Sequence, residues 1–302
     1  MLLNRSVVIV ESPFQLITAI EYHQDKKFTL IFLNLGNERN CSIVEHLAER
    51  FKLNLVIIRR VSPYYRFNSI YIGIILTLKI LFYNKLILGD IREIHFKILI
   101  ASSLFLQKKL VVLDDGTSSL FLLKNLENLA KKGSEVFTFF GDSLLFNKHK
   151  FDYLKGLMDT DLVERSIIIG SSIVETNSIT DESYWSYLDM ISCMNLDIYY
   201  VPHRNEDKLR VDKISRTYGW KIWNLEYPLE LIYLSGFKPS HIFSVTSSAM
   251  LTLLSIYTNV KTYYYLFGDN WLDSIHGKKM KFIESEIRSR LVFHPRVEMT
   301  EL

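Results

Sequence analysis

The stretch Leu110-Val111-Val112-Leu113 runs without a break into Asp114-Asp115-Gly116-Thr117. Four apolar residues in a row, bounded by a turn signal, read as a buried strand. The acids and the glycine close it, because Gly116 permits a sharp turn that a side-chain-bearing residue resists. A helix-like segment, Ser119–Lys131, follows at once. An apolar strand, a polar junction and then a helix make up the repeating unit of a parallel sheet covered on both faces.

The same unit recurs on either side. Val7–Val10, Phe28–Leu35, Leu55–Ile58, Leu86–Leu88 and Val136–Phe140 are further strand candidates, separated by the helical segments Gln15–Tyr22, Ile43–Phe51, Ile70–Tyr83 and Ile91–Leu106. A second series follows, with strands at Ile167–Ile169, Ile198–Val201, Lys221–Trp223, His241–Val245 and Thr262–Leu266. Its helices are Tyr184–Cys193, Lys208–Tyr218, Leu229–Ser235 and Ala249–Tyr257. One open sheet holding every strand would be unusually wide, so the break is expected in the polar stretch Phe146–Glu164. The fold class is α/β, with two doubly wound, Rossmann-like domains at 1–155 and 156–302 facing each other across a cleft. In such sheets ligands bind beyond the carboxyl ends of the strands.

Composition sets the outer limits. A chain of 302 residues, 48% hydrophobic and 23% charged, fills two domains of ordinary size without needing a disulfide or structural metal. The two cysteines, Cys41 and Cys193, lack ligand or CxxC spacing and suit a reducing compartment. The net charge of +3 is spread along the chain, which argues against nucleic acid and fits an anionic substrate or an anionic membrane surface. The opening residues lack the layout of a secretory signal, so a cytoplasmic protein is expected. Ile70–Tyr83 is strongly apolar but interrupted by Lys79 and too short to span a bilayer. A buried helix is the first reading of this segment, and a peripheral contact with the inner membrane surface the second.

Five junctions carry the chemically capable residues. Asp114 and Asp115 either cap the next helix or supply a general base, since an aspartate with a pKa of about 3.9 is ionised and can accept a proton. Pro202-His203-Arg204 follows a strand and offers donors to a phosphate. Thr246-Ser247-Ser248 leads into a helix, where one hydroxyl is an ordinary cap and a cluster of them also makes an anion site. Gly170-Ser171-Ser172 is a similar nest. Glu230 stands in the first turn of a helix, where it complements the dipole or accepts both hydroxyls of a ribose. No GxGxxG, P-loop or zinc motif occurs.

Taken in order, these junctions resemble those of the bacterial sialyltransferases of GT-B architecture, the lipooligosaccharide sialyltransferase and polysialyltransferase families. The likeness lies in Asp114-Asp115-Gly116, in Pro202-His203, in Ser247-Ser248 and in the opening Glu11-Ser12-Pro13-Phe14-Gln15. Pro228-Leu229-Glu230 resembles the segment that holds the cytidine ribose. One departure is Arg204, where those families carry a proline after the histidine. The resemblance implies an inverting, metal-independent glycosyltransferase with no cofactor, moving a sialic-acid-type sugar from a CMP donor to a glycan acceptor. Asp114 would be the base, with Asp115 as its alternate, and His203 would assist the departing phosphate. Ser247, Ser248, Glu230, Gly170, Ser171, Pro202, Arg204, Ser12 and Gln15 would line the donor site. CMP-pseudaminate, CMP-legionaminate or CMP-Kdo would use the same contacts. A non-catalytic sugar-nucleotide-binding or capsule-assembly protein is the reading from another class.

Overall fold

The computed structural model describes residues 5–24, 28–34, 36–59, 65–116, 118–140, 143–158 and 161–302. Leu35, at the end of one expected strand, and Thr117 lie outside the described residues. The chain divides into two compact units, Met1–Leu154 and Lys155–Leu302.

The first unit contains strands β1 (Ser6–Val10), β2 (Phe28–Asn34), β3 (Asn54–Arg59), β4 (Lys85–Leu88), β5 (Lys109–Val112), β6 (Glu135–Thr138) and β7 (Asn147–Lys148). They form one sheet in the order β3-β2-β1-β4-β5-β6-β7. Every pairing is parallel. All five residues of β1 are buried, as expected for a strand with helices on both faces. Its core joins Val7, Ile9, Leu86, Leu88, Leu110 and Val112 of the sheet to Leu76, Phe96 and Leu99 of the helices.

The second unit repeats the plan. Strands β8 (Val163–Ile169), β9 (Ile198–Val201), β10 (Lys221–Ile222), β11 (Phe237–Ser244), β12 (Lys261–Leu266) and β13 (Val297–Glu301) pair in the order β10-β9-β8-β11-β12-β13. All of these pairs are parallel too. Both units therefore wind outward from their first strand, one way and then the other, and the order reverses between β1 and β4 and between β8 and β11. These are the switch points at which doubly wound sheets bind ligands. The chain is two Rossmann-like domains, a GT-B fold. The repetition is one of topology alone, since the sequence shows no internal repeat.

Several elements differ from the sequence reading. Ser119–Lys131 is two helices, Ser118–Phe121 and Leu123–Lys131. Leu229–Ser235 is a 3-10 helix, stopped at Gly236, whose φ of 80° suits glycine. The helix Ile275–Leu291 was not expected, because its charged residues obscure the spacing of its buried Ile283, Ile287 and Leu291. The short β7 and the half-exposed β13 carry no apolar run that would announce a strand. The helix Tyr65–Ile80 is buried on one face only: Ile72, Leu76 and Ile80 enter the core, while Ile70, Tyr71, Ile74 and Leu78 face solvent. Among the described residues no helix is long and apolar enough to cross a membrane.

Candidate functional site

In the first unit, β1, β4 and β5 lie side by side, so the junctions after them leave the sheet along one edge. After β1, the Ser12 hydroxyl accepts from the Gln15 N–H at 3.2 Å and caps the helix Pro13–His23, with proline in its first turn. Capping turns Gln15 back over the strand end. Its Oε1 accepts from the Glu11 N–H at 2.7 Å, and its Nε2 donates to Asp115 Oδ1 at 2.7 Å. The glutamine fits only because residue 89 is glycine: a Cβ there would lie 2.2 Å from Gln15 Oε1.

After β4, Asp90 accepts from the backbone N–H groups of Ile91 and Arg92. It also binds the Arg92 guanidinium, with Nε to Oδ2 at 2.9 Å and a terminal nitrogen to Oδ2 at 2.6 Å. The same guanidinium bridges to Asp115 Oδ2. Beside it, Glu11 Oε1 meets Nε2 of the buried His95 at 2.7 Å. Three carboxylates therefore share one strand edge around an arginine.

The two adjacent aspartates after β5 have opposite surroundings. The Asp114 side chain is fully buried, with 0% exposure. It accepts from Thr138 Oγ1 at 2.5 Å and from the Phe139 N–H, and it lies 3.5 Å from His149 Nε2. Asp115 keeps 17% of its side chain exposed. Burial and the nearby Asp90 push its carboxyl up to about 6, against the pull of Arg92 and Gln15. Ser119 Oγ accepts from the Asp115 N–H at 2.9 Å.

In the second unit, β9, β8 and β11 are neighbours, so the junctions at 170–172, 202–206 and 246–248 again share an edge. Glu206 organises two of the three. Its carboxylate accepts from the Tyr200 hydroxyl, from the Tyr184 hydroxyl at 3.3 Å and from the His203 N–H at 2.5 Å. Burial pushes this carboxyl up to about 7. Gly170 closes over the group, and a Cβ there would come 2.3 Å from Glu206 Oε2. His203 and Arg204 are exposed beyond the half-buried Pro202. His203 Nδ1 accepts from the Asn205 N–H at 3.2 Å, which puts the proton of the neutral ring on Nε2.

On the other side of β8, Ser247 caps the helix Ser248–Ile256 by accepting from the Ala249 N–H at 3.3 Å. Ser248 is the first residue of that helix. Glu230 accepts from Thr252 of the same helix at 2.8 Å, and its burial raises its carboxyl above the ordinary range. The sequence-selected residues thus gather in two sets: Ser12, Gln15 and Asp115 on one unit, and the loops bearing Gly170, Ser171, His203 and Ser247 on the other. Asp114 turns away from the first set.

Asp90, Arg92 and His95 were missed, and so was Glu206. Gly89-Asp90-Ile91-Arg92 satisfies the strand-end rule, but a helix expected from Ile91 absorbed it; the helix starts at Ile94. Glu206 stands two residues beyond Pro202-His203-Arg204, and nothing in its spacing announces that it folds back beneath His203.

The chain is thus two Rossmann-like domains with polar strand-end junctions in each. No protein-family model and no curated protein matches this chain. Solved structures do. The α/β-galactoside α-2,3-sialyltransferase of Photobacterium phosphoreum superposes with a TM-score of 0.54 at 13% identity, covering 98% of each chain. The 2,6-sialyltransferase of Photobacterium sp. JT-ISH-224, solved with CMP and lactose, gives 0.52 at 9% identity over 98% of this chain and 78% of that one. The UDP-GlcNAc 2-epimerase of Methanocaldococcus jannaschii gives 0.59 at 10% identity over 98% and 89%. At such identities the likeness is one of fold.

Proposed function

We propose that the chain is a glycosyltransferase that uses a nucleotide-activated sugar, and that the donor is a CMP-linked sialic acid or a related nonulosonic acid. The fold alone does not choose the reaction, because an epimerase shares it. The observation that carries the reading is the Gln15–Asp115–Arg92 arrangement: a partly exposed carboxylate held from two sides at a switch-point edge. Such a group can accept the proton of a sugar hydroxyl as the new bond forms. This assigns the base to Asp115, the alternate in the sequence reading. Asp114, with its oxygens occupied inside the unit, keeps the β5 and β6 ends together.

His203 Nε2–H donates to the phosphate as CMP leaves, assisted by the charge of Arg204, and Glu206 positions that loop by holding the His203 N–H. Ser247, Ser248 and the helix they open favour the same anion. Electrostatic stabilisation of the leaving group and alignment of the acceptor account for the chemistry without covalent help from the protein. Attack opposite the leaving phosphate inverts the anomeric carbon. His203 and Arg204 supply the positive charge at the leaving phosphate, so transfer needs no divalent ion and continues in EDTA.

Thermal shift with nucleotides tests the donor assignment. A ligand that binds only the folded state stabilises it by about 2.7 kcal/mol at a hundredfold excess over its dissociation constant. CMP raises the melting midpoint more than UMP or GMP does at equal concentration. Equal shifts from all three remove the cytidine assignment, and a UMP preference moves the protein toward UDP-sugar chemistry. Tight CMP binding without turnover on any acceptor favours the non-catalytic reading.

A further inference from the structure

The helix Tyr65–Ile80 and the helix Ile94–Phe105 pack side by side in the first unit. A Cβ on Gly73 would lie 2.8 Å from Ile98 Cδ1 and 3.3 Å from the His95 Cα, so the two backbones approach closely there. Thr77 and Ser102 hydroxyls meet at 3.2 Å, and Lys108 Nζ donates to the Leu81 carbonyl at 3.2 Å. These bonds bring the turns that end both helices together.

A helix on the outside of a sheet ordinarily presents a polar face to water. This pair does the reverse. Ile70, Tyr71, Ile74 and Leu78 stand exposed along the first helix, and Leu81 and Phe82 in the turn after it. Leu104 and Phe105 join them from the second helix, with Phe82 75% and Phe105 86% exposed. A contiguous apolar ridge of this kind marks a contact surface, whereas scattered apolar residues do not.

The charges on the ridge identify its occupant. No Asp or Glu occurs from residue 65 to 89 or from 94 to 113. Lys79 lies between Leu78 and Leu81 and is exposed, and Lys97 is exposed on the second helix. Lys108 sits where the two turns join, whereas Lys109 is paired with Glu135 at 3.2 Å. Protruding aromatic and aliphatic side chains, interleaved with lysines and free of acids, match the boundary between acyl chains and anionic headgroups.

We infer that the exposed face of the helices Tyr65–Ile80 and Ile94–Phe105, with the turns that follow them, docks the protein onto an anionic lipid surface. Phe82, Phe105 and Leu78 enter the headgroup–acyl boundary while Lys79, Lys97 and Lys108 engage the headgroup charge. The docking is peripheral, and it stands whether or not the proposed reaction does.

Sedimentation with vesicles tests it, using equal parts phosphatidylcholine and phosphatidylglycerol against phosphatidylcholine alone. The wild type binds the anionic vesicles and is released by high salt. Phe82→Ser with Phe105→Ser abolishes binding without lowering the melting midpoint, since both side chains project into solvent. Lys79→Glu with Lys97→Glu weakens binding by at least about fivefold for each lysine, the scale of one cation near an anionic surface. Absence of binding by the wild type overturns the inference, as does binding that both double variants retain. A dimer in solution that the phenylalanine variant dissociates, with no vesicle binding, assigns the ridge to a second copy and also overturns it.

Discussion

Asp115→Asn leaves the melting midpoint within a few degrees of the wild type and lowers turnover by about a hundredfold or more, the scale of losing a general base. Asparagine has the same shape and still accepts from Gln15, and Arg92 keeps its two-point contact with Asp90. What disappears is the oxygen able to take a proton. The pH profile gives the second readout. With its carboxyl at about 6, Asp115 is ionised above that pH and protonated below it, so wild-type turnover climbs as pH rises through 6 and levels off near 7. The asparagine variant loses that limb. Steady-state kinetics across pH 5–8 check both. Wild-type turnover in the variant would return Asp115 to a structural role.

Asp114→Ala has the opposite signature: it costs about 3 kcal/mol or more of stability, because truncating one partner of a buried charged network strands the others. Thr138 and the Phe139 N–H lose their acceptor, and His149 the carboxylate beside it, in a site closed to water. For a unit of this size that lowers the melting midpoint by about 10 °C. Thermal unfolding followed by circular dichroism measures it. A midpoint unchanged by Asp114→Ala would mean that the aspartate is not the tie between the β5 and β6 ends.

This contrast between neighbours also marks the limit of what the sequence discloses. The strands were legible because parallel sheets demand apolar runs, as in Val7–Val10 and Leu110–Val112, and the junctions because polar residues collect where those runs stop. That the sheets are parallel, with helices on both faces, followed from the alternation. Which of two adjacent carboxylates faces outward did not, since successive residues at a strand end point opposite ways and the deciding partners, Thr138 and Gln15, lie far off in the chain. Arg92 was hidden inside an apolar-looking segment. Glu206 acts only through a turn that returns it to the His203 N–H, a contact that no spacing encodes. The exposed face of Tyr65–Ile80 entered only as the second reading of that segment, because a helix apolar all round reads first as buried.

The most direct test of the proposed reaction is nucleotide release from a panel of sugar donors, with a glycan acceptor present and EDTA in the buffer. The donors are CMP-linked sialic acid, pseudaminate, legionaminate and Kdo, together with UDP-N-acetylglucosamine, and both the wild type and the Asp115→Asn protein are assayed. The expected result is CMP release with sugar transfer from at least one CMP donor by the wild type, undiminished by EDTA and about a hundredfold slower in the variant. Release of UDP, epimerised UDP-sugar, or CMP release that Asp115→Asn leaves unchanged would contradict it.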